Sequence, residues 1–72
     1  MLQQMGKRIQ QARTQQKMTQ KQLAQALGVD RVSVSEWESG KYGIHVSLLP
    51  RLAQILNVPI TFFFDITPTD NT

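Results

Sequence analysis

An all-α fold of five short helices is what this sequence predicts, and three observations predict it. No segment alternates apolar and polar residues over the length of a strand. Apolar residues recur instead at spacings of three and four. Gly28, Gly40, Pro50 and Pro59 punctuate the chain into pieces each short enough to be one helix.

Met5, Ile9 and Ala12, with Leu2, fall at helical spacing and predict a first helix over residues 3–16. Gly6 weakens its start slightly, because glycine has more backbone freedom to lose in a helix. Thr19 then precedes a new periodic run. Its hydroxyl can accept a bond from the otherwise orphan backbone N–H near Gln22. Gln22 completes a Thr-x-x-Gln capping box, with Met18 as a staple towards Leu23. The second helix covers residues 20–27, burying Leu23, Ala24 and Leu27, and Gly28 ends it with a left-handed residue. Asp30 caps a third helix over residues 31–39, with Val34 and Trp37 facing inward, and Gly40 closes it in the same way. With Ser47 as N-cap, a fourth helix covers residues 48–56 and buries Leu49, Leu52, Ala53 and Leu56. Pro50 is then its third residue, where the missing N–H would have had no intrahelical partner. Asn57 is a tolerable terminator. Pro59 starts a fifth segment over residues 60–64, which supplies aromatic residues to the core.

The chain has 72 residues and no cysteine, so one small core must stabilise it without disulfides or thiolate metal sites. A composition of 40% hydrophobic and 18% charged residues is compatible with that. No apolar run approaches the roughly 18 residues of a membrane span. The N-terminal stretch MLQQMGKRIQQ has no hydrophobic segment of signal-peptide type. A soluble, cytoplasmic protein is expected.

The net charge of +3 conceals an asymmetry. Residues 1–29 hold Lys7, Arg8, Arg13, Lys17 and Lys21 and no acid, whereas residues 52–72 hold Asp65 and Asp70 and no base. Such a skew fits a polyanionic partner, or simply a solvated basic face.

The stretch QKQLAQALGVDRVSVSEWESG, residues 20–40, sharpens that choice. Two helices joined by three or four residues cross at roughly 90–120° in a helix-turn-helix unit, and the crossing constrains side-chain size. Ala24 is small where the helices approach, Gly28 makes the sharp exit, Val29 enters the core, and Val34 and Trp37 seat the second helix on the first. An ordinary helical hairpin would need only some apolar residues at these spacings.

Over residues 5–64 the segments GKRIQQARTQQKMTQKQLAQALGV, VSVSEWESGK and LLPRLAQILNVPITFFF resemble the phage lambda repressor and Cro family of helix-turn-helix proteins, often called the XRE family. The resemblance implies a lambda-repressor-like DNA-binding domain of five helices, expected over residues 1–65 and followed by a polar tail, 66–72. Such domains dock on double-stranded DNA as dimers, with the second helix of the motif in the major groove. It implies base contacts by Arg31, Val32 and Glu36. It implies phosphate contacts by Gln20, which also buttresses the recognition helix, and by Ser33 and Lys41. Arg13 and Glu38 match a structural ion pair between helix one and the end of helix three.

The chemistry of the residues bears on these roles. An arginine at a helix N-terminus can give a bidentate pair of bonds to guanine, the commonest specific contact, can grip a phosphate, or can simply stand in solvent. Val32 lies off the inward face, where it suits a thymine methyl or is a surface apolar residue. Glu36 departs from family members with an amide there: a carboxylate only accepts, for example from cytosine N4. The other role open to Glu36 is to orient Arg31 or another base-facing group through an ion pair. The first turn of helix two is an anion site, to which Lys21, Lys41 and Lys17 can add phosphate contacts. Asp30 must stay turned to its own backbone.

His45 is the one histidine, and no metal site, cofactor site or catalytic arrangement can be built around it, so no enzyme is expected. Phe62, Phe63 and Phe64 cannot all face one side of a short helix. The resemblance implies dimerisation through this segment and YGIHVS, making Tyr42, Ile44, Phe62 and Phe64 the interface candidates. The expected function is a transcriptional regulator, a repressor on a palindromic operator. The rival readings are an antitoxin that binds a toxin and autoregulates its operon, and an interaction module without DNA binding. The tail suits either a terminus or a linker to a C-terminal effector domain.

Overall fold

Capping chemistry sets the helix ends in this computed structural model, which describes residues 2–64. Four α-helices appear among them: α1 (Leu2–Gln15), α2 (Gln20–Leu27), α3 (Arg31–Ser39) and α4 (Leu49–Leu56). Both halves of the capping box at α2 are present: Gln22 N–H donates to Thr19 Oγ1 at 3.0 Å, and Thr19 N–H donates to Gln22 Oε1 at 2.8 Å. Gly28 and Gly40 end α2 and α3 at φ 81° and 83°, where a side chain would be strained. Asn57 ends α4 at φ 59°, the left-handed position that asparagine tolerates. Lys17 also turns left-handed, at φ 58°, between α1 and α2.

The fifth expected helix is a correction. Residues Ile60–Phe63 make only a 3₁₀ turn, which still delivers Phe63 to the core at 1% exposure. The cap of helix four is a second. Ser47 does not cap it, because Val46–Leu48 forms a separate 3₁₀ turn whose own start is capped by His45. There Ser47 N–H donates to His45 Nδ1 at 3.1 Å. α4 therefore begins at Leu49, with no side-chain cap, and Pro50 is its second residue rather than its third. The physical reason that proline is tolerated is unchanged, since neither position has an intrahelical acceptor to lose.

One core holds these elements together. Ile9 and Ala12 from α1, Leu23, Ala24 and Leu27 from α2, and Val34 and Trp37 from α3 meet Leu49, Leu52, Ala53 and Leu56 of α4, and Phe63 closes the cluster. Met5, Met18 and Val29 pack half-buried against it. The Leu2 side chain and the tail, residues 66–72, lie outside the described residues.

α3 is seated on both α1 and α2, so its inner face is fixed from two directions. Gly6 is buried where α1 crosses the end of α3. A Cβ built on it would collide with the carbonyl oxygen of Trp37 and come within 2.6 Å of that of Glu38. The Gly6 that weakens the helix locally is thus the residue that lets α1 and α3 meet at backbone distance.

Candidate nucleic-acid interface

The outer face of α3 begins at its cap. Asp30 Oδ1 accepts from Ser33 N–H and from the Ser33 hydroxyl, each at 2.9 Å. The backbone N–H of Ser33 is the main reason that the Asp30 carboxyl is held below its ordinary range, and the Ser33 hydroxyl adds to it. Asp30 is therefore turned to its own helix. Ser33 has given its hydroxyl proton to Asp30, so in this arrangement its side chain offers a phosphate no donor.

Arg31 is exposed one residue further on, and Val32 is 53% exposed while Val34 and Trp37 are buried. Arg31 is not loose: Nη1 donates to Gln20 Oε1 at 3.4 Å. Gln20 Nε2 donates to Glu38 Oε1 at 3.0 Å. Glu38 in turn holds Arg13, Nε to Oε2 at 2.6 Å and Nη2 to Oε1 at 3.1 Å, while Arg13 Nη1 donates to the Met18 carbonyl at 2.7 Å. The Arg13 and Glu38 side chains are only 11% and 4% exposed. A carboxylate accepts but cannot donate, so it decides which end of the Gln20 amide faces it. The carbonyl end is left for Arg31. The sequence expectation paired Arg13 with Glu38; that Gln20 and Arg31 extend the same chain of bonds depends on how α2 crosses α3.

Glu36 is half-buried, and among the described residues its carboxylate makes no hydrogen bond or ion pair. The ion pair from Glu36 to Arg31, one of its two expected roles, is absent; Arg31 donates to Gln20 instead. The Glu36 carbonyl accepts from the N–H of Gly40 and of Lys41, closing the end of α3.

Lys17, Lys21 and Lys41 are exposed, the last with Nζ 5.7 Å from the centre of the Tyr42 ring. At the start of α2 the capping box uses the N–H groups of Thr19 and Gln22, and those of Gln20 and Lys21 have no acceptor within the helix. Partial positive charge at that end favours an anion.

The four interface candidates divide. Tyr42 and Phe64 are 57% and 44% exposed. Ile44 and Phe62 instead pack half-buried against the core, Phe62 edge-on to Phe63 with the Arg8 guanidinium 5.2 Å over its ring. Val46, 68% exposed, was not singled out by sequence, although YGIHVS contains it. Its position in a 3₁₀ turn, with no neighbouring periodicity, hides which way it points. Among the described residues no group of three or more His, Asp or Glu side chains could hold a metal ion, and no helix is long and apolar enough to cross a membrane.

Residues 9–63 match the helix-turn-helix family. An HTH-type transcriptional regulator of Sinorhizobium medicae (strain WSM419) is 38% identical over 65 residues, covering 90% of this chain and 47% of the relative. The chain thus spans about half the length of that relative. The restriction-modification controller protein C.AhdI of Aeromonas hydrophila superposes with a TM-score of 0.81 at 28% identity, over 88% of this chain and 91% of the other. The P22 c2 repressor, solved in complex with a synthetic operator, superposes with a TM-score of 0.76 at 29% identity, over 82% and 89%.

Proposed function

The chain belongs to the XRE-type helix-turn-helix family, and from that premise we propose that it is a sequence-specific DNA-binding transcriptional regulator, a cytoplasmic repressor that binds a palindromic operator as a dimer. The observation that carries this reading is the chain of bonds from buried Arg13 through Glu38 and Gln20 to Arg31. It ends at an exposed guanidinium at the head of α3, on a frame held by three helices. A group that reads bases must be held in register, and side chains braced by buried partners keep that register.

Arg31, Val32 and Glu36 face base edges in this reading. Lys21, Lys41 and the first turn of α2 grip phosphates, and Gln20 can still offer its second amide proton to one. Ser33 joins them only if its hydroxyl leaves Asp30. Tyr42 and Phe64, together with half-buried Ile44 and Phe62, form the dimer contact, and two-fold symmetry then places half-sites about one DNA turn apart. The likeness to the P22 c2 repressor bound to its operator supports both the DNA partner and the repressor role.

Selection of bound duplexes from random DNA, at one stated salt concentration, tests the reading. A two-fold symmetric motif is the expected result. Recovery of no motif, with uniform weak retention of all sequences, would overturn it.

A further inference from the structure

Glu36 poses a chemical problem that no other residue of α3 shares. Its carboxylate stands on α3, the helix proposed to approach a polyanion, yet no partner neutralises it among the described residues. Arg31, the cation on the same helix, is engaged with Gln20 at 3.4 Å. Gln20 cannot turn its amide round to help, because its NH₂ end is held by Glu38 at 3.0 Å.

A bare carboxylate beside phosphates is stabilised only where it meets donors. The major groove offers two kinds, cytosine N4 and adenine N6. Adenine carries the acceptor N7 on the same edge, which repels the second carboxylate oxygen; cytosine presents N4–H₂ with no acceptor of its own there. α3, RVSVSEWES, also contains neither Asn nor Gln, the side chains that pair bidentately with adenine. Arg31 has given one Nη1 proton to Gln20, and its other N–H groups remain for the two acceptors of guanine.

We propose, resting on the DNA-reading role above, that α3 reads a half-site containing two G·C pairs, with Arg31 taking the guanine of one and Glu36 accepting from cytosine N4 of the other. Glu36 lies five positions after Arg31, roughly 7.5 Å along the helix axis at 1.5 Å per residue, so they fall on different base pairs. Glu36 thereby sets specificity by exclusion as well as by contact: against guanine O6 or thymine O4 it would stand acceptor to acceptor.

Selection from random duplexes at a fixed salt concentration, run on the wild-type chain, Glu36→Gln and Glu36→Ala, tests this, with thermal melting of each variant as the control for folding. The wild type should enrich cytosine at one position and guanine at another. Glu36→Gln should change the cytosine to adenine, leave the guanine as it was, and bind the wild-type motif about tenfold more weakly. Glu36→Ala should lose the preference at that one position. If both variants select the same bases as the wild type, or if the wild-type motif lacks these G·C pairs, the proposal is overturned while the DNA-reading role stands. If the wild type enriches nothing, both fall together.

Discussion

Gly6 of α1 lies directly against the backbone of Trp37 in α3, so that the two helices touch without side chains between them. Gly6→Ala therefore sets two effects of opposite sign against each other. Alanine gains about 1 kcal/mol of helix propensity, but its Cβ would meet the backbone oxygens of Trp37 and Glu38, which cannot rotate away. Overpacking of this kind costs about 1–3 kcal/mol. The expected outcome is a lower melting temperature by circular dichroism. A rise would mean that α1 slides off α3 without loss.

Removing Glu38 strands Arg13. With the carboxylate gone, the buried guanidinium keeps only the Met18 carbonyl, and breaking such a pair from one side costs about 3–5 kcal/mol. Glu38→Ala should unfold at markedly lower urea concentration than the wild type. Arg13→Ala/Glu38→Ala should fall short of the sum of the single changes, the signature of direct coupling.

Asp30 links stability to acid. Its folded carboxyl titrates below the ordinary value because Ser33 N–H and hydroxyl bond the charged form. A depressed folded value means that the contribution is full above the unfolded value, about 3.9, and disappears as pH falls through the folded one. Asp30→Asn should thus melt below the wild type at neutral pH, and the gap should narrow in strong acid. A gap independent of pH would show that charge at the cap contributes nothing.

In the proposed DNA-bound arrangement, arginine and lysine should differ in kind. Arg31→Ala should cost about 1–3 kcal/mol on the preferred duplex and relax selection at one base pair. Lys21→Ala should weaken binding to all sequences alike and lower the slope of log affinity against log salt by about 0.9. Uniform loss with Arg31→Ala would reassign that residue to a phosphate.

Phe64 and Tyr42 expose apolar surface, which the proposed dimer would cover. Phe64→Ser/Tyr42→Ser should leave the melting temperature nearly unchanged, since neither side chain belongs to the core, and should shift sedimentation towards monomer. Unaltered self-association would remove these residues from the interface.

Helix ends were legible in the sequence, and the reason is range. Thr19 with Gln22, and Asp30 with Ser33, are contacts between residues three apart, and a left-handed glycine is a property of one residue. The inward faces were legible too, because Leu23, Leu27, Val34 and Trp37 recur at the helical period and every such stripe must be covered. Where local signals competed, sequence chose wrongly. Ser47 has the chemistry of a cap, but His45 two residues earlier takes its N–H and starts a separate turn.

Only the tertiary structure decided what lies between elements. Nothing in the neighbourhood of Gly6 tells that two carbonyls of α3 occupy the place of its side chain. The three phenylalanines are equivalent in sequence, and only the docking of the last turn separates buried Phe63 from half-buried Phe62 and exposed Phe64. The family pattern pairs Arg13 with Glu38 across 25 residues, yet the partner of Arg31 is Gln20 rather than Glu36. That outcome turns on distance and angle at a helix crossing, which the sequence specifies only through the whole core that sets it.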